Sequence, residues 1–384
     1  AVKEKYGKPC MTVGNIRDPK VAEDILAKGD ADFIGMGRGL IADPEWVNKV
    51  EFGKECDIRK CISCNIGCAG HRIGLNQPIR CTVNPAVNSG EDYMKHKINN
   101  PCNVVVVGGG TAGLEAACTA AEVGCNTFLL EEKETLGGLA AEISKIPAKK
   151  RLADFPHYLE HRAAGLDNLY IFTGTQATPD NIRKFHPNLI VNATGSGPLL
   201  PPIKGLMDNI DKEGGNVYSI LGMIHHINDF PQDLEGKKVA VIGGGAVGLD
   251  VVEFFAARKA DISIVEMMDQ IGRDLDPVTK NDMKCQMKAH GVHQLTKTAL
   301  LEVKEHSFLV KGSEGEYELP FDYGFVCLGM RAKGQLYPQL LEAFADDDVE
   351  IINIGDSQRA RRIIDGTMEG RNILYHLTQR GYLD

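Results

Sequence analysis

Strand-like apolar runs that lead directly into helical segments recur along this chain. Asn103–Val107 is a β-branched run that ends in a glycine turn, and an alanine-rich segment follows it. Val239–Ile242 begins the same succession of strand, glycine turn and helix a second time. Because strands that alternate with helices form parallel sheets covered on both faces, this pattern predicts an α/β fold with two doubly wound sheets.

The first fifty residues carry two further strand–helix units. An extended run from Cys10 to Ile16 precedes Asp18-Pro19, which predicts a capped helix start, and a second strand at 31–36 leads into Gly37. Two parallel strands cannot bury both faces of a sheet. We therefore expect residues 1–50 to be the end of a larger domain.

Both glycine turns have the spacing of a dinucleotide-binding motif. Each follows a strand, opens a helix and has an acidic residue 23 positions after its first glycine. Such glycines allow a tight turn and a close approach of backbone amides to a pyrophosphate, while the acid binds ribose hydroxyls. The alternative interpretation is that both are ordinary strand-to-helix turns without a ligand, but the repetition of the whole pattern argues against it. The motif residues are Gly108, Gly110, Gly113 and Glu131 in the first copy and Gly243, Gly245, Gly248 and Glu266 in the second.

The residues around the second acid indicate which nicotinamide cofactor is used. A carboxylate at Glu266 repels a 2′-phosphate. Met267 and Met268 follow it, at positions where an NADPH-binding protein is expected to have an arginine that binds this phosphate. We therefore predict NADH rather than NADPH at the second motif.

Four cysteines between the first fifty residues and the first glycine turn have the spacing of metal ligands. Cys61, Cys64 and Cys68 lie within eight residues, and Cys81 follows on a returning segment. A structural zinc site and a redox dithiol at Cys61 and Cys64 are the alternatives. The position directly before a nucleotide-binding domain favours a 4Fe-4S cluster.

Charge and composition exclude several classes of protein. The 384 residues carry a net charge of −9, and we find no basic run, so nucleic-acid binding is not expected. No apolar stretch is long enough for a membrane span. Eleven cysteines without a recognisable signal peptide fit a reducing cytoplasm.

Two short segments are similar to flavin-binding motifs. Ala193-Thr194-Gly195 and Gly355-Asp356 resemble the crossover and ribityl-binding motifs of flavoprotein reductases with two dinucleotide domains. The resemblance implies FAD at the first glycine turn and NADH at the second. The FAD contacts that we predict on this basis also include Gly138, Leu139 and Ala193.

The whole chain resembles the C-terminal portion of the NADH:flavin oxidoreductases of the 2,4-dienoyl-CoA reductase and 2-enoate reductase type. The segments that carry the resemblance are Val13–Ile16, Gly35–Arg38, the four cysteines, Cys81–Pro85 and both glycine motifs. The resemblance implies that residues 1–50 are the last two β/α units of an FMN-binding (β/α)8 barrel, with Gly14, Gly37 and Arg38 at the FMN phosphate. We expect FMN in the intact enzyme and its loss from this chain alone.

The resemblance also implies a reaction. Electrons would pass from NADH through FAD and the cluster to FMN, which reduces an activated C=C bond of an enoate, dienoyl-CoA or enone. This chain would be the electron-input half. The alkene would bind in barrel units outside this sequence, so we name no catalytic residue. A homo-oligomer is compatible with the sequence.

Two other functions remain open. An amine dehydrogenase of the trimethylamine or histamine type shares these motifs, although its second dinucleotide domain does not serve NADH. The second possible function is that of a separate electron-transfer subunit. The domains that we predict are the barrel end at 1–50, the cluster segment and linker at 51–100, the FAD domain at 101–225 and 326–384, and the NADH domain at 226–325.

Overall fold

The computed structural model describes residues 2–89 and 95–383. Residues 90–94, inside the cluster segment and linker that we predict at 51–100, lie outside the described residues. The first elements along the chain are α1 (Val2–Tyr6), β1 (Met11–Val13), α2 (Pro19–Ala27), β2 (Phe33–Gly35), α3 (Arg38–Ala42), α4 (Trp46–Glu51), a 3-10 helix (Glu55–Asp57) and a π-helix (Ile66–Leu75).

The next elements run through the first glycine turn. They are β3 (Asn103–Val107), α5 (Thr111–Val123), β4 (Asn126–Leu130), α6 (Gly138–Ile143), a 3-10 helix (Pro147–Ala153), α7 (Asp154–Ala164), β5 (Leu169–Phe172), α8 (Pro179–Arg183) and β6 (Leu189–Asn192).

The remaining elements contain the second glycine turn and the C-terminal segment. They are β7 (Ser196–Pro198), α9 (Leu206–Asn209), β8 (Val217–Tyr218), α10 (Ile220–His225), β9 (Lys238–Ile242), α11 (Ala246–Ala256), β10 (Asp261–Val265), α12 (Pro277–Ala289), β11 (His293–Leu295), β12 (Ala299–Val303), β13 (Ser307–Gly312), β14 (Gly315–Pro320), β15 (Tyr323–Val326), β16 (Met330–Ala332), α13 (Leu336–Ala343), β17 (Glu350–Asn353), a 3-10 helix (Gly355–Ser357), α14 (Ile363–Arg371) and α15 (Ile373–Gln379).

The chain forms two compact units. The first comprises residues 1–141, 151–195 and 333–384, and the second comprises 142–150 and 196–332. The boundary therefore lies near residue 195, earlier than the position after residue 225 that we predict from sequence. The reason is that β8, at Val217–Tyr218, pairs in parallel with β15 of the second unit. The assignment of a cofactor to each domain stays a prediction.

The first unit is built around a parallel sheet with strand order β17-β6-β3-β4-β5. Its central strand β3 is buried from Val104 to Val107, which explains why the sequence there is continuously apolar rather than alternating. Near the N-terminus of the same unit, β1 and β2 pair in parallel, and Asp18 caps α2 by accepting a hydrogen bond from the Lys20 amide. The predicted α/β fold with parallel sheets is confirmed.

The second unit repeats the parallel arrangement. Its main sheet has strand order β11-β10-β9-β15-β8, and β12, β13 and β14 form a separate antiparallel sheet. Both β9 and β10 are almost entirely buried apart from their first residues. The carboxyl end of β9 leads into the second glycine turn.

Candidate functional site

The first glycine turn joins β3 to α5 in a form that only glycine allows. Gly108 has a φ of +106°, and a Cβ atom there would lie 2.3 Å from the Ala193 carbonyl oxygen. A Cβ atom on Gly113 would lie 1.9 Å from the carbonyl oxygen of Gly108. Gly110 stands at the N-cap of α5, where the helix amides face outward and can bind an anion. The structure thus brings these three glycines and Ala193 together.

Glu131, which directly follows β4, stabilises the first glycine turn. Its carboxylate accepts a hydrogen bond from the Gly109 amide at 2.6 Å and another from the Lys133 amide at 2.9 Å. Gly138, with a φ of +56°, also approaches the turn, because its Cβ position lies 2.9 Å from the Cα atom of Gly110. Leu139 follows in the first turn of α6.

The predicted ribityl-binding segment packs on the same helix. Gly355 has a φ of +63°, and its Cβ position lies 2.9 Å from the Cβ atom of Ala112 in α5. The Asp356 carboxylate accepts a hydrogen bond from the Arg361 amide at 2.9 Å. Gly370 of α14 would also clash with α5 if it carried a Cβ atom, since that atom would lie 2.6 Å from the Ala112 carbonyl oxygen. The sequence-predicted FAD residues therefore surround the N-terminal end of α5.

The second glycine turn repeats the first in detail. Gly243 has a φ of +105°, and the Cβ position of Gly248 lies 1.9 Å from the Gly243 carbonyl oxygen. The Glu266 carboxylate accepts hydrogen bonds from the amides of Gly244 at 2.7 Å and Met268 at 2.8 Å. Gly245 is the N-cap of α11.

One acidic residue beside this turn was not predicted from the sequence. The Asp274 carboxylate accepts a hydrogen bond from the Ala246 amide at 3.3 Å, at the first residue of α11. No spacing rule connects residue 274 with residue 246, so only the folded chain reveals that contact.

The four predicted metal ligands line one cavity. Cys61, Cys64, Cys68 and Cys81 contribute to its wall together with Arg38 and Thr82. Burial raises the pKa of Cys81 to about 11, although the amides of Val83 and Asn84 act in the opposite direction. Within residues 2–89 and 95–383, no three His, Cys, Asp or Glu side chains form a group suited to a metal ion.

The predicted FMN-phosphate residues line a neighbouring cavity of about 320 Å³. Gly14 and Gly37 contribute backbone to its wall, and each faces open space where a side chain would begin. The Arg38 guanidinium donates a hydrogen bond to the Asn65 side chain at 2.6 Å. Cys61 lines both cavities, so the cysteine segment and the strand ends of the N-terminal region share one wall.

A buried ionic network braces α5, and its side chains were not predicted from the sequence. Glu115 of α5 is fully buried and pairs with Arg162 at 2.8 Å and with Arg371 at 3.4 Å. Arg162 also pairs with Glu122 at 2.6 Å. Arg59, two residues before Cys61, donates a hydrogen bond to the Tyr158 hydroxyl at 2.8 Å.

A second charged cluster lies in the other unit. Lys149 pairs with Asp250 at 2.9 Å and with Glu253 at 3.2 Å, both on α11. Burial raises the pKa of Asp250 above its ordinary value, against the opposing effect of Lys149. A lysine about one hundred residues before α11 carries no local signal of this pairing, which explains why the sequence did not reveal it.

None of the helices within the described ranges is long and apolar enough to cross a lipid bilayer.

The chain is similar to known flavin-linked oxidoreductases. Residues 102–354 match the pyridine nucleotide-disulphide oxidoreductase family, and residues 1–57 match the NADH:flavin oxidoreductase / NADH oxidase family. An NADH oxidase of Thermoanaerobacter brockii is 36% identical over 98% of this chain and 56% of its own length. A cinnamate reductase of Clostridium sporogenes is 28% identical over 93% of this chain and 51% of its own length.

Solved structures show the same fold. A 2-naphthoyl-CoA reductase has a TM-score of 0.85 at 24% identity, covering 97% of this chain and 54% of its own. A histamine dehydrogenase from Rhizobium sp. 4-9 has a TM-score of 0.82 at 23% identity, covering 98% of this chain and 56% of its own.

The chain spans about half the length of the curated relatives that it matches. Its match to the pyridine nucleotide-disulphide oxidoreductase family covers more than half of its own residues. The chain therefore belongs to the pyridine nucleotide-disulphide oxidoreductase family, and its predicted resemblance to the C-terminal portion of flavin-linked enoate reductases is supported by its similarity to the NADH oxidase and the cinnamate reductase.

Proposed function

We propose that this chain is the electron-input half of an NADH-dependent reductase for activated C=C bonds. It binds FAD at the first glycine turn, NADH at the second and a 4Fe-4S cluster at the four cysteines. FMN and the alkene belong to a barrel of which residues 1–50 form one part.

The observation that carries this proposal is the duplication of one binding geometry. In both turns the first glycine has a φ near +105°, and the third glycine lies against the carbonyl of the first. In both, the acid accepts a hydrogen bond from the amide of the residue that directly follows the first glycine, Gly109 or Gly244. A turn of this kind directs the N-terminal amides of its helix towards a bound pyrophosphate. At the second turn the Ala246 amide would exchange the Asp274 carboxylate for the pyrophosphate. Two such turns support two dinucleotides in one chain.

Residues of the second unit would bind and orient NADH. The amides at the start of α11 would bind the pyrophosphate, and Glu266 would bind the adenosine ribose while it fixes the turn. The negative charge of Glu266 would disfavour a 2′-phosphate.

Residues of the first unit would hold the flavin and the cluster. The N-terminus of α5 and Glu131 would hold FAD, and the four thiols line one cavity. Among the described residues they do not gather around a single metal ion, but a cuboidal cluster binds each thiolate to a different iron, so its four sulfurs need not meet at one point. Gly14, Gly37 and Arg38 would hold the phosphate of FMN. Bound flavin supplies the conversion between two-electron hydride chemistry and the single-electron transfer that a cluster accepts.

An amine dehydrogenase is the main alternative, and the histamine dehydrogenase shares the fold. The reductase is favoured because the second turn keeps every feature of the first, including the acid. NADH oxidation by the purified chain separates the two functions.

The proposal is tested by the cofactor content and the activity of the purified chain. We expect about one FAD and about four irons with matching sulfide, and NADH oxidation with ferricyanide as the electron acceptor. Zinc in place of iron would contradict the cluster. A flavin-loaded chain that does not oxidise NADH would contradict the reductase.

The choice of NADH over NADPH is tested by Glu266→Ser. Loss of the carboxylate removes its repulsion of a 2′-phosphate, so the ratio of kcat/KM for NADPH to that for NADH should rise about tenfold. Ferricyanide reduction with each nucleotide measures the ratio.

Glu131→Ser is the matched control for this experiment. Glu131 makes the same hydrogen bonds in the first turn, so its substitution should lower flavin content without changing the nucleotide preference. An unchanged ratio in Glu266→Ser would contradict the assigned role of Glu266.

A further inference from the structure

We propose that the hydroxyl group of Thr82 donates a hydrogen bond to the Cys64 thiolate and thereby raises the reduction potential of the iron–sulfur cluster. This inference rests on the cluster of the proposed function. It makes Thr82 a positioning residue for electron transfer, because Thr82 acts through a ligand sulfur.

The contact is direct, and its hydroxyl partner is buried. The Thr82 Oγ1 atom lies 3.2 Å from the Cys64 Sγ atom, and Thr82 is only 1% exposed. Thr82 also lines the cavity that the four cysteines surround. Because water has little access to the buried Thr82 hydroxyl, this hydrogen bond is stronger than one between two exposed groups.

The direction of the hydrogen bond follows from ligand chemistry. The Thr82 hydroxyl and a protonated Cys64 thiol could each donate this hydrogen bond. A cysteine that binds iron, however, is a thiolate and carries no proton. The hydroxyl of Thr82 is then the donor. A donor to a ligand sulfur stabilises the added negative charge of the reduced cluster, which raises its potential.

Main-chain amides supply the other hydrogen bonds described at these sulfurs. The Ser63 amide lies 3.4 Å from the Cys61 sulfur, the Ile66 amide donates to Cys64, and the amides of Val83 and Asn84 donate to Cys81. Substitution of a side chain does not remove an amide donor. Thr82 is therefore the donor in this group that mutation can delete.

The backbone around Thr82 is held in place. The Asn84 side chain donates a hydrogen bond to the Ile41 carbonyl at 3.0 Å and accepts one from the Ala86 amide at 3.1 Å. Val83 is buried as well. A change of the Thr82 hydroxyl alone should therefore leave the cysteine segment in position.

The experiment compares Thr82→Val with Thr82→Ser in the flavin- and iron-loaded chain. Valine keeps the shape of threonine without the hydroxyl, and serine keeps the hydroxyl. We measure iron and sulfide content, then the midpoint potential of the cluster by redox titration followed by electron paramagnetic resonance. The potential should become more negative in Thr82→Val and stay close to wild type in Thr82→Ser.

Thr127→Val is the matched control, because Thr127 is buried in the same unit and its hydroxyl bonds the Cys125 carbonyl instead of a ligand sulfur. Its cluster potential should equal that of wild type. If Thr82→Val fails to load iron, Thr82→Ala is titrated in its place with the same expectation.

The outcomes separate this inference from the proposed function. A wild-type chain without iron and sulfide would contradict the cluster itself. A wild-type chain with the cluster, together with a hydroxyl-free variant at the wild-type potential, would overturn the role of Thr82 alone.

Discussion

Replacing Gly248 with alanine should strongly impair NADH-dependent reduction of the bound flavin while flavin content stays at the wild-type level. The new Cβ atom would lie 1.9 Å from the Gly243 carbonyl oxygen, so the second glycine turn must move away from α11. A displaced turn no longer presents its amides to the pyrophosphate. We expect kcat/KM for NADH to fall at least about 100-fold, equivalent to about 2.7 kcal/mol.

Gly197→Ala is the control for this variant. It makes the same chemical change in the same unit, at a position where a Cβ atom meets nothing within 4 Å. Its activity should match that of wild type. Because Gly248 belongs to the second unit, dithionite should still reduce the flavin of Gly248→Ala. Wild-type NADH kinetics in Gly248→Ala would contradict the placement of NADH at this turn.

Arg162→Met should destabilise the first unit strongly. The Arg162 side chain is 8% exposed and pairs with Glu115, which is fully buried, so the substitution leaves an insufficiently compensated carboxylate in the core. Breaking a buried pair in this way costs about 3–5 kcal/mol in the free energy of unfolding. Urea unfolding followed by circular dichroism measures the loss.

The effect of this substitution should depend on pH. Burial acts to raise the pKa of Glu115, but Arg162, Arg371 and Arg59 lower it on balance below its ordinary value of 4.5. Such a carboxyl stabilises the fold above its unfolded pKa and loses that contribution as the pH falls through its folded value. The difference between wild type and Arg162→Met should therefore be largest near pH 7 and shrink below pH 4.5.

Arg183→Met is the control for the ionic network. Arg183 pairs with Asp347 at the surface, where both side chains are more than 40% exposed. Loss of such a pair costs less than about 1 kcal/mol. Equal destabilisation by the two substitutions would contradict a special role for the buried network.

The glycine turns could be predicted from sequence because backbone geometry alone restricts those positions to glycine. Gly108 and Gly243 need a positive φ, and Gly113 and Gly248 have no room for a side chain. The acids at Glu131 and Glu266 follow from the fixed length of one helix and one strand. Local constraints of this kind leave a readable spacing in the sequence.

The contacts that brace these turns could not be predicted in the same way. Arginine and glutamate are usually surface residues, so Arg162 and Glu115 give no sequence signal that they are buried together. The Thr82 contact depends on how residue 82 returns beside Cys64, which is a property of the fold. The boundary near residue 195 likewise depends on the pairing of β8 with β15.

Electron transfer from NADH to the flavin and the cluster is tested most directly by an anaerobic titration of the purified, flavin-loaded chain with NADH, followed by visible absorption. Stoichiometric NADH should bleach the flavin band, and the iron–sulfur absorption should then decline. A flavin that dithionite reduces but NADH leaves oxidised would contradict the proposed electron-input function.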